Sequence, residues 1–411
     1  MSMIILKNAT VFDGRSAELL EGASVVIEGE RIREVTTGTA KLPNAQVINV
    51  GGRTLMPGLI DAHAHPHISS LNVGDATQFR PTYFAHHAAR VLKFALACGF
   101  TTIRDTGGGD VGLAMAVDEG LIEGPRLFYA GRVLSQTGGH ADMRDHRHVE
   151  HELCACRAHS DSLGVIVDGI DKVRWAVREE IRKGAHHIKI MGSGGVSSPT
   201  DPVDVCQFAM EEIRVVVEEA EWAKKYVAAH CHPIAAIRRC VEAGVRSIEH
   251  ATFIDLPTAK FLTERGAYAV PTMTIMYALK AEGAKLGLPK RSQEKLEETL
   301  GVGLQCLENL HKAGAPMGFG CDLIGPLYTW QCHEFNVRAE VLKPIDILRS
   351  ATSVNAEIMQ RSGEIGCLAP DAYADLIVVN GNPLIDIGLL AENGRHLPLI
   401  MKGGRIFKNE L

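Results

Sequence analysis

Apolar residues recur at every second position in short stretches over the first 55 or so residues: MIILKNATVFDG, GASVVIEGERIREVTT and AQVINVGGRTLMPG. Glycines punctuate these stretches, which predicts short strands joined by turns. The same texture returns near the C-terminus in GEIGCLAPDAYADLIVVNGNP and LPLIMKGGRIFKNEL. Neither terminal piece is long enough to bury a sheet by itself. The economical expectation is one small β-sandwich domain built from both ends, residues 1–58 and 360–411.

Between them the pattern changes. Short apolar runs at 59–65, 101–105, 126–131, 187–191, 227–230, 247–250, 267–272 and 317–320 alternate with segments of helical period, such as DKVRWAVREEIRKGA, EEIRVVVEEAEWAKKY and PIAAIRRCVEAGV. Most of these amphipathic segments close on a glycine. Eight strand-then-helix units predict an α/β domain, a (β/α)8 TIM barrel over residues 59–359, with its active site at the C-terminal ends of the strands. A long segment, 132–170, interrupts the rhythm. It is expected to be a lid or binding loop, or simply a charged solvated face, and His146, His148, His151 and His159 within it are assigned to solvent.

Composition narrows the function classes. The chain has 411 residues, 46% of them hydrophobic, and carries a formal charge of −6 with no basic block, which argues against nucleic acid and anionic membranes as partners. No window approaches the roughly 18 consecutive apolar residues of a membrane span. The opening MSMIILKNATVFDGRS has no secretory pattern either. Ten scattered cysteines without a CxxC pair read as reduced thiols of a cytoplasmic protein.

The chemistry sits at the strand ends. In LIDAHAHPH, His63 and His65 lie two residues apart, so a strand aims both imidazoles to the same side. The fourth run carries Lys189, the fifth and sixth end in His230 and His250, and Asp322 follows the eighth. Imidazole and carboxylate donors without cysteine suit Zn2+ first, with Mn2+, Co2+ or Fe2+ open to the same set. An ammonium cannot ligate a cation. Lys189 therefore belongs in the cluster only as a carbamate formed with CO2, or it lies outside the ligand shell.

DAHAHPH, HHIKIMGSGGVSSPTDP, VAAHCHP, SIEHATFID and FGCDLIG, in this order, resemble the amidohydrolase superfamily and its prolidase-like, ochratoxinase-like branch of binuclear metal hydrolases. The resemblance covers essentially the whole chain. It implies one metal on His63, His65 and Asp322, a second on His230 and His250, and N6-carboxylated Lys189 bridging them together with a hydroxide. That hydroxide is the nucleophile, Asp322 passes its proton to the leaving nitrogen, and His140 in SQTGGHADM supports the oxyanion. His67 falls outside the set. The glycine-rich GSGGVSSPTDP lacks phosphate-loop spacing and reads as a close approach of backbone to substrate.

The implied substrate is a small peptide or N-acyl amino acid, cleaved at the amide before its C-terminal residue, or an ochratoxin-type amide. A free carboxylate calls for a partner at the mouth, and Arg104, Arg144, Tyr277 and His232 are the candidates. The mouth motifs offer no obvious acidic partner for a basic side chain beyond Asp201, Asp204 and Asp322, which favours proline or a hydrophobic C-terminal residue. The rival chemistries are a cyclic-amide hydrolase of imidazolonepropionase or hydantoinase type and a heterocycle deaminase. The run CHPIAA after His230 lacks the glutamate of the deaminase pattern. A catalytically silent scaffold is disfavoured because no ligand position is missing. The resemblance also implies a homo-oligomer.

Overall fold

The computed structural model describes residues 3–38, 40, 42–73, 79–144 and 163–411. There are five N-terminal strands, β1 (Met3–Val11), β2 (Leu20–Glu28), β3 (Arg31–Thr37), β4 (Gln46–Asn49) and β5 (Thr54–Pro57); β3 and β4 are mostly exposed, while β5 and the stretches 4–6 and 23–27 are buried on both faces. Next come β6 (Leu59–Ala64), β7 (Phe100–Asp105), β8 (Arg126–Tyr129), β9 (Val133–Ser135), β10 (Gly164–Ile166), β11 (Ile188–Met191), β12 (Val227–Cys231), β13 (Ser247–His250) and β14 (Tyr268–Val270). The chain ends with β15 (Leu376–Val379), β16 (Leu399–Lys402) and β17 (Arg405–Asn409).

Both ends of the chain enter one eight-stranded sheet, ordered β17-β16-β15-β5-β1-β2-β3, with β4 also on β1. The seam is β15 against β5, where Leu376 faces Pro57 and Val379 faces Thr54 in antiparallel register. A pair of separate sheets was expected; the hydrogen bonds instead make one sheet that forks at β1. Its residues 4–7 pair with β4, while Thr10 and Val11 pair with β5. Asn8, at the fork, has left-handed backbone (φ 57°) that turns the strand from one partner to the other. Ile4, Leu6, Ile27, Leu55, Leu376 and Met401 from both arms share one core.

The central strands are parallel and buried on both faces, as crossover helices require. They form two sheets, β6-β7-β8 and β10-β9-β11-β12-β13-β14. Backbone bonds link them on both sides. His186 N–H donates to Tyr129 O (2.9 Å) between β8 and β11. On the other side an extended stretch, 316–322, lies between β14 and β6: Gly318 N–H donates to Ala269 O (2.8 Å), Ala62 N–H to Phe319 O (2.8 Å) and Asp322 N–H to His63 O (2.8 Å). The hydrogen-bonded path therefore runs round a closed ring.

Three expected strands differ in extent. The run 267–272 shortens to β14 because Pro271 has no N–H to continue the ladder. Stretch 317–320 keeps only an isolated bridge, Ala269 to Met317, since Pro316 also lacks a donor and Asp322 turns left-handed. Run 126–131 breaks at Tyr129, turns at left-handed Gly131, and resumes as β9. Gly320 sits so close to β6 that an added Cβ would lie 2.7 Å from His63 Cβ.

Asn355 locks the seam. Its Nδ2 donates to Ile60 O (2.7 Å) and Phe319 O (2.9 Å), and its Oδ1 accepts from Phe319 N–H (3.2 Å), all in a fully buried position. Replacing Asn355 with Leu removes three bonds, leaving Phe319 O with Ala62 N–H and Phe319 N–H with Ser350 O as their remaining partners, and is expected to cost about 3 kcal/mol of stability. Urea unfolding measures this, and a loss below about 1 kcal/mol, the net worth of one bond, would show that the clamp is not needed.

Candidate metal centre and its cavity

His63 lies on β6, and His65 follows its end. Their Nε2 atoms are 3.4 and 3.2 Å from Asp322 Oδ1, and His250 Nδ1 is 4.0 Å from Asp322 Oδ2. His63, His250 and Asp322 each present a donor atom within 4.8 Å of the others. The His230 ring meets that of His250 edge-on at 4.5 Å. Lys189, at the middle of β11, completes the group. All six predicted ligands line one cavity of about 850 Å3, open mouth included.

Strand alternation alone would put Glu249 and His250 on opposite faces. His250 and Ala251 adopt left-handed backbone (φ 70° and 51°), as does Asp322 (φ 56°), and the side chains converge on the interior. Non-glycine residues rarely hold that conformation, and such strain concentrates at functional sites.

His230, His250 and Asp322 are held in the states that ligation needs, while at His65 burial is outweighed by the pull of Asp322, which raises the imidazole above its ordinary value. Burial, reinforced by neighbouring imidazoles, pushes His230 and His250 well below the ordinary histidine range, so both are neutral with free lone pairs. Burial would raise the Asp322 carboxyl, but His63 and His65 hold it well below its ordinary value. Lys189 is pushed down to about 8 by burial, against the pull of Glu249 and Asp322. It is 1% exposed, and among the described residues no hydrogen bond or ion pair reaches its amine. A buried amine with no partner is costly, and conversion to a carbamate ligand would satisfy it. The donor set and Lys189 thus fit a divalent metal centre.

The profile of the Amidohydrolase family matches residues 54–406. The chain belongs to that family. Among curated proteins it is 33% identical to an ochratoxinase of Aspergillus niger over 365 residues, 86% of this chain and 75% of that one. A solved prolidase complexed with N-methylphosphonate-L-proline is 45% identical, with a TM-score of 0.97 over 99% of this chain and all of the other. A Xaa-Pro dipeptidase structure with bound methionine is 27% identical, with a TM-score of 0.89 and the same coverage. The amidohydrolase is therefore prolidase-like.

Other predicted residues fall on both sides of the cavity wall. His140 and His232 line it. His140 stacks on His230 at 4.3 Å, and His232 stacks on His250 at 5.1 Å with its Nδ1 2.8 Å from Thr252 Oγ1. Burial and His140 lower His232 to about 3. Arg144 does not line the cavity; its guanidinium pairs with Asp142 at 2.8 and 2.6 Å. Tyr277 packs edge-on to His333 outside the lining. Asp204 is exposed, and His67 turns away to bond the Gly108 carbonyl. His146, His148, His151 and His159 lie outside the described residues.

Arg104, a candidate for binding substrate carboxylate, is instead fully buried beneath the centre. It contacts Glu249 at 2.8 and 2.9 Å, Ser247 Oγ at 2.9 Å and Ala62 O at 2.5 Å. Glu249 in turn meets His63 Nδ1 at 2.7 Å. Burial would raise this carboxyl, but Arg104 and His63 hold it well below the usual range. An ionised carboxylate only accepts, so His63 carries its proton on Nδ1 and turns the Nε2 lone pair to the cavity. Sequence reasoning missed Glu249. A glutamate in a strand buried on both faces demands a buried cation, and Arg104 in TTIRD was the available one.

The glycine-rich loop does make a close approach, but to protein. A Cβ on Gly194 would collide with the Pro202 carbonyl, and one on Gly195 with the His140 ring.

Exchanging Glu249 for Gln is expected to weaken metal affinity by about 10- to 100-fold, as loss of such a supporting carboxylate does. Competition with a chromophoric chelator measures it; unchanged affinity would remove Glu249 from the support of His63.

Proposed function

We propose that this amidohydrolase cleaves the amide bond before a C-terminal amino acid, in dipeptides, N-acyl amino acids and ochratoxin-type amides. The observation that carries the reading is the partnerless, buried Lys189 amine at the centre of the histidine and aspartate ring. In this reading His63, His65 and Asp322 hold one divalent ion and His230 and His250 the other, Zn2+ foremost, with carboxylated Lys189 between them. When bound, the two ions would polarise the scissile carbonyl and supply hydroxide near neutral pH. Likeness to the prolidase and ochratoxinase supports the choice of bond.

The chain's own groups do the rest. Asp322, at 23% side-chain exposure, keeps one carboxylate oxygen beside His63 and His65 while still reaching the cavity. It takes up a proton from the attacking water and delivers it to the leaving nitrogen, which an amide requires because an amine anion leaves poorly. His140, across the cavity, supports the oxyanion. His232 is the remaining candidate for the substrate carboxylate, since Arg104, Arg144 and Tyr277 lie off the lining.

Apolar side chains form the far wall. Ile275 and Met276 come from the helix Met273–Ala278, Leu279 from the π-helical turn after it, and Leu296 from the helix Lys290–Leu300. Ile68 and Ile324 face the same space. Such a wall favours proline or a hydrophobic residue over a basic one. The reading takes the closed ring of strands as a (β/α)8 barrel over residues 59–359, and residues 1–58 with 360–411 as the composite β-domain.

A library of dipeptides and N-acyl amino acids, assayed with Zn2+ and bicarbonate supplied, distinguishes the chemistries. Free C-terminal proline or hydrophobic amino acids are expected. No released amino acid from the library, with ammonia or ring-opened product from heterocyclic substrates, would overturn the reading.

A further inference from the structure

The mechanism above leaves unused a buried charged cluster beside the cavity. Asp201, 3% exposed, sits in the glycine-rich loop behind His140, and Lys295, 6% exposed, reaches it from the helix Lys290–Leu300. The Ser198 hydroxyl donates to Asp201 Oδ1. His140 Nδ1 is 2.6 Å from that hydroxyl oxygen and 3.3 Å from Asp201 Oδ2. Gly195 N–H donates to Asp201 Oδ2 at 3.0 Å. Gln207 Oε1 accepts from the His140 backbone N–H at 2.9 Å.

The direction of these bonds follows from the number of protons. A carboxylate only accepts, and a serine hydroxyl has one proton, which goes to Asp201. Ser198 Oγ must therefore accept from His140, so His140 carries a proton on Nδ1, directed into the loop. Nε2 faces the cavity that the ring lines, and it donates to an oxyanion there only when it too carries a proton, because a bare Nε2 accepts.

Lys295 holds the loop itself. Its ammonium meets the carbonyls of Gly195, Ser198 and Asp201 at 2.8, 2.8 and 2.5 Å and lies 3.9 Å from Asp201 Oδ1. The same helix sends Leu296 and Thr299 into the cavity lining, and the loop sends Val196 and Ser197. Two walls of the cavity are tied together at the point where His140 is aimed.

We propose that Asp201, acting through Ser198 and anchored by Lys295, is a positioning residue that holds the Nδ1 proton of His140 in the loop and aims its Nε2 at the reacting carbonyl, whose oxyanion the ring supports when Nε2 is also protonated. The proposal rests on the role given to His140 in the reading above. A buried carboxylate is a costly way to hold a loop that backbone bonds alone could close. It is suited to orienting an imidazole, as carboxylates do in hydrolytic triads.

The test is a double-mutant cycle in metal-loaded enzyme, on the best substrate of the library. Asp201→Asn is expected to lower kcat by about 10- to 100-fold, with KM changed less than about twofold and metal content unchanged. In a His140→Ala background the same exchange should change kcat by less than about twofold, because it acts only through that ring. Equal losses in both backgrounds would overturn the proposal. An inert His140→Ala would instead overturn the role of His140. A second readout is independent of turnover: 15N NMR of histidine-labelled protein should show a protonated Nδ1 on His140 whose signal shifts in Ser198→Ala. A His140 protonated on Nε2 alone would overturn the proposal even if Asp201→Asn does not fold.

Discussion

Everything in this fold is arranged around a desolvated amine. Lys189 projects from one of the ring's parallel strands into the cavity lined by the four candidate ligand imidazoles and a carboxylate, with no partner of its own among the described residues. Burial has moved it to about 8 although the cavity it lines opens to solvent, and conversion to a carbamate ligand would remove its positive charge altogether. The shell beneath it follows from the same need. Arg104 and Glu249 form a fully buried ion pair that orients His63, an arrangement that breaking one partner would disrupt by about 3–5 kcal/mol.

The six candidate ligands were legible in the sequence because five lie at or near the ends of apolar runs and Lys189 interrupts one, and strand ends in such a fold converge. What supports them was not legible. Arg104 and Glu249 are 145 positions apart and meet only because β7 and β13 share an interior. Read one motif at a time, Arg104 looked like a substrate anchor. The glycine-rich loop read as a close approach to substrate; its Val196 and Ser197 line the cavity, while the role of Gly195 in making room for His140 had no local signal. The left-handed turns at His250 and Asp322 carry no local signal, since neither residue type requires them.

The β-domain repeats this division. Alternating polarity announced its strands, and the split between chain ends was readable from their texture. The fork at Asn8 was not, because it depends on β4 and β5 competing for the same edge of β1. Closing the ring of central strands likewise depends on Asn355, a residue outside every motif, which holds the weakly laddered stretch around Phe319 against β6.

The central claim is that Lys189 becomes a carbamate between two metals. Protein stripped of metal and reconstituted with Zn2+ and 13C-bicarbonate should show one carbamate 13C resonance by NMR, absent from Lys189→Ala, and it should persist after free bicarbonate is removed. A fully loaded, active enzyme with no carbamate signal would contradict the account and place Lys189 outside the metal shell.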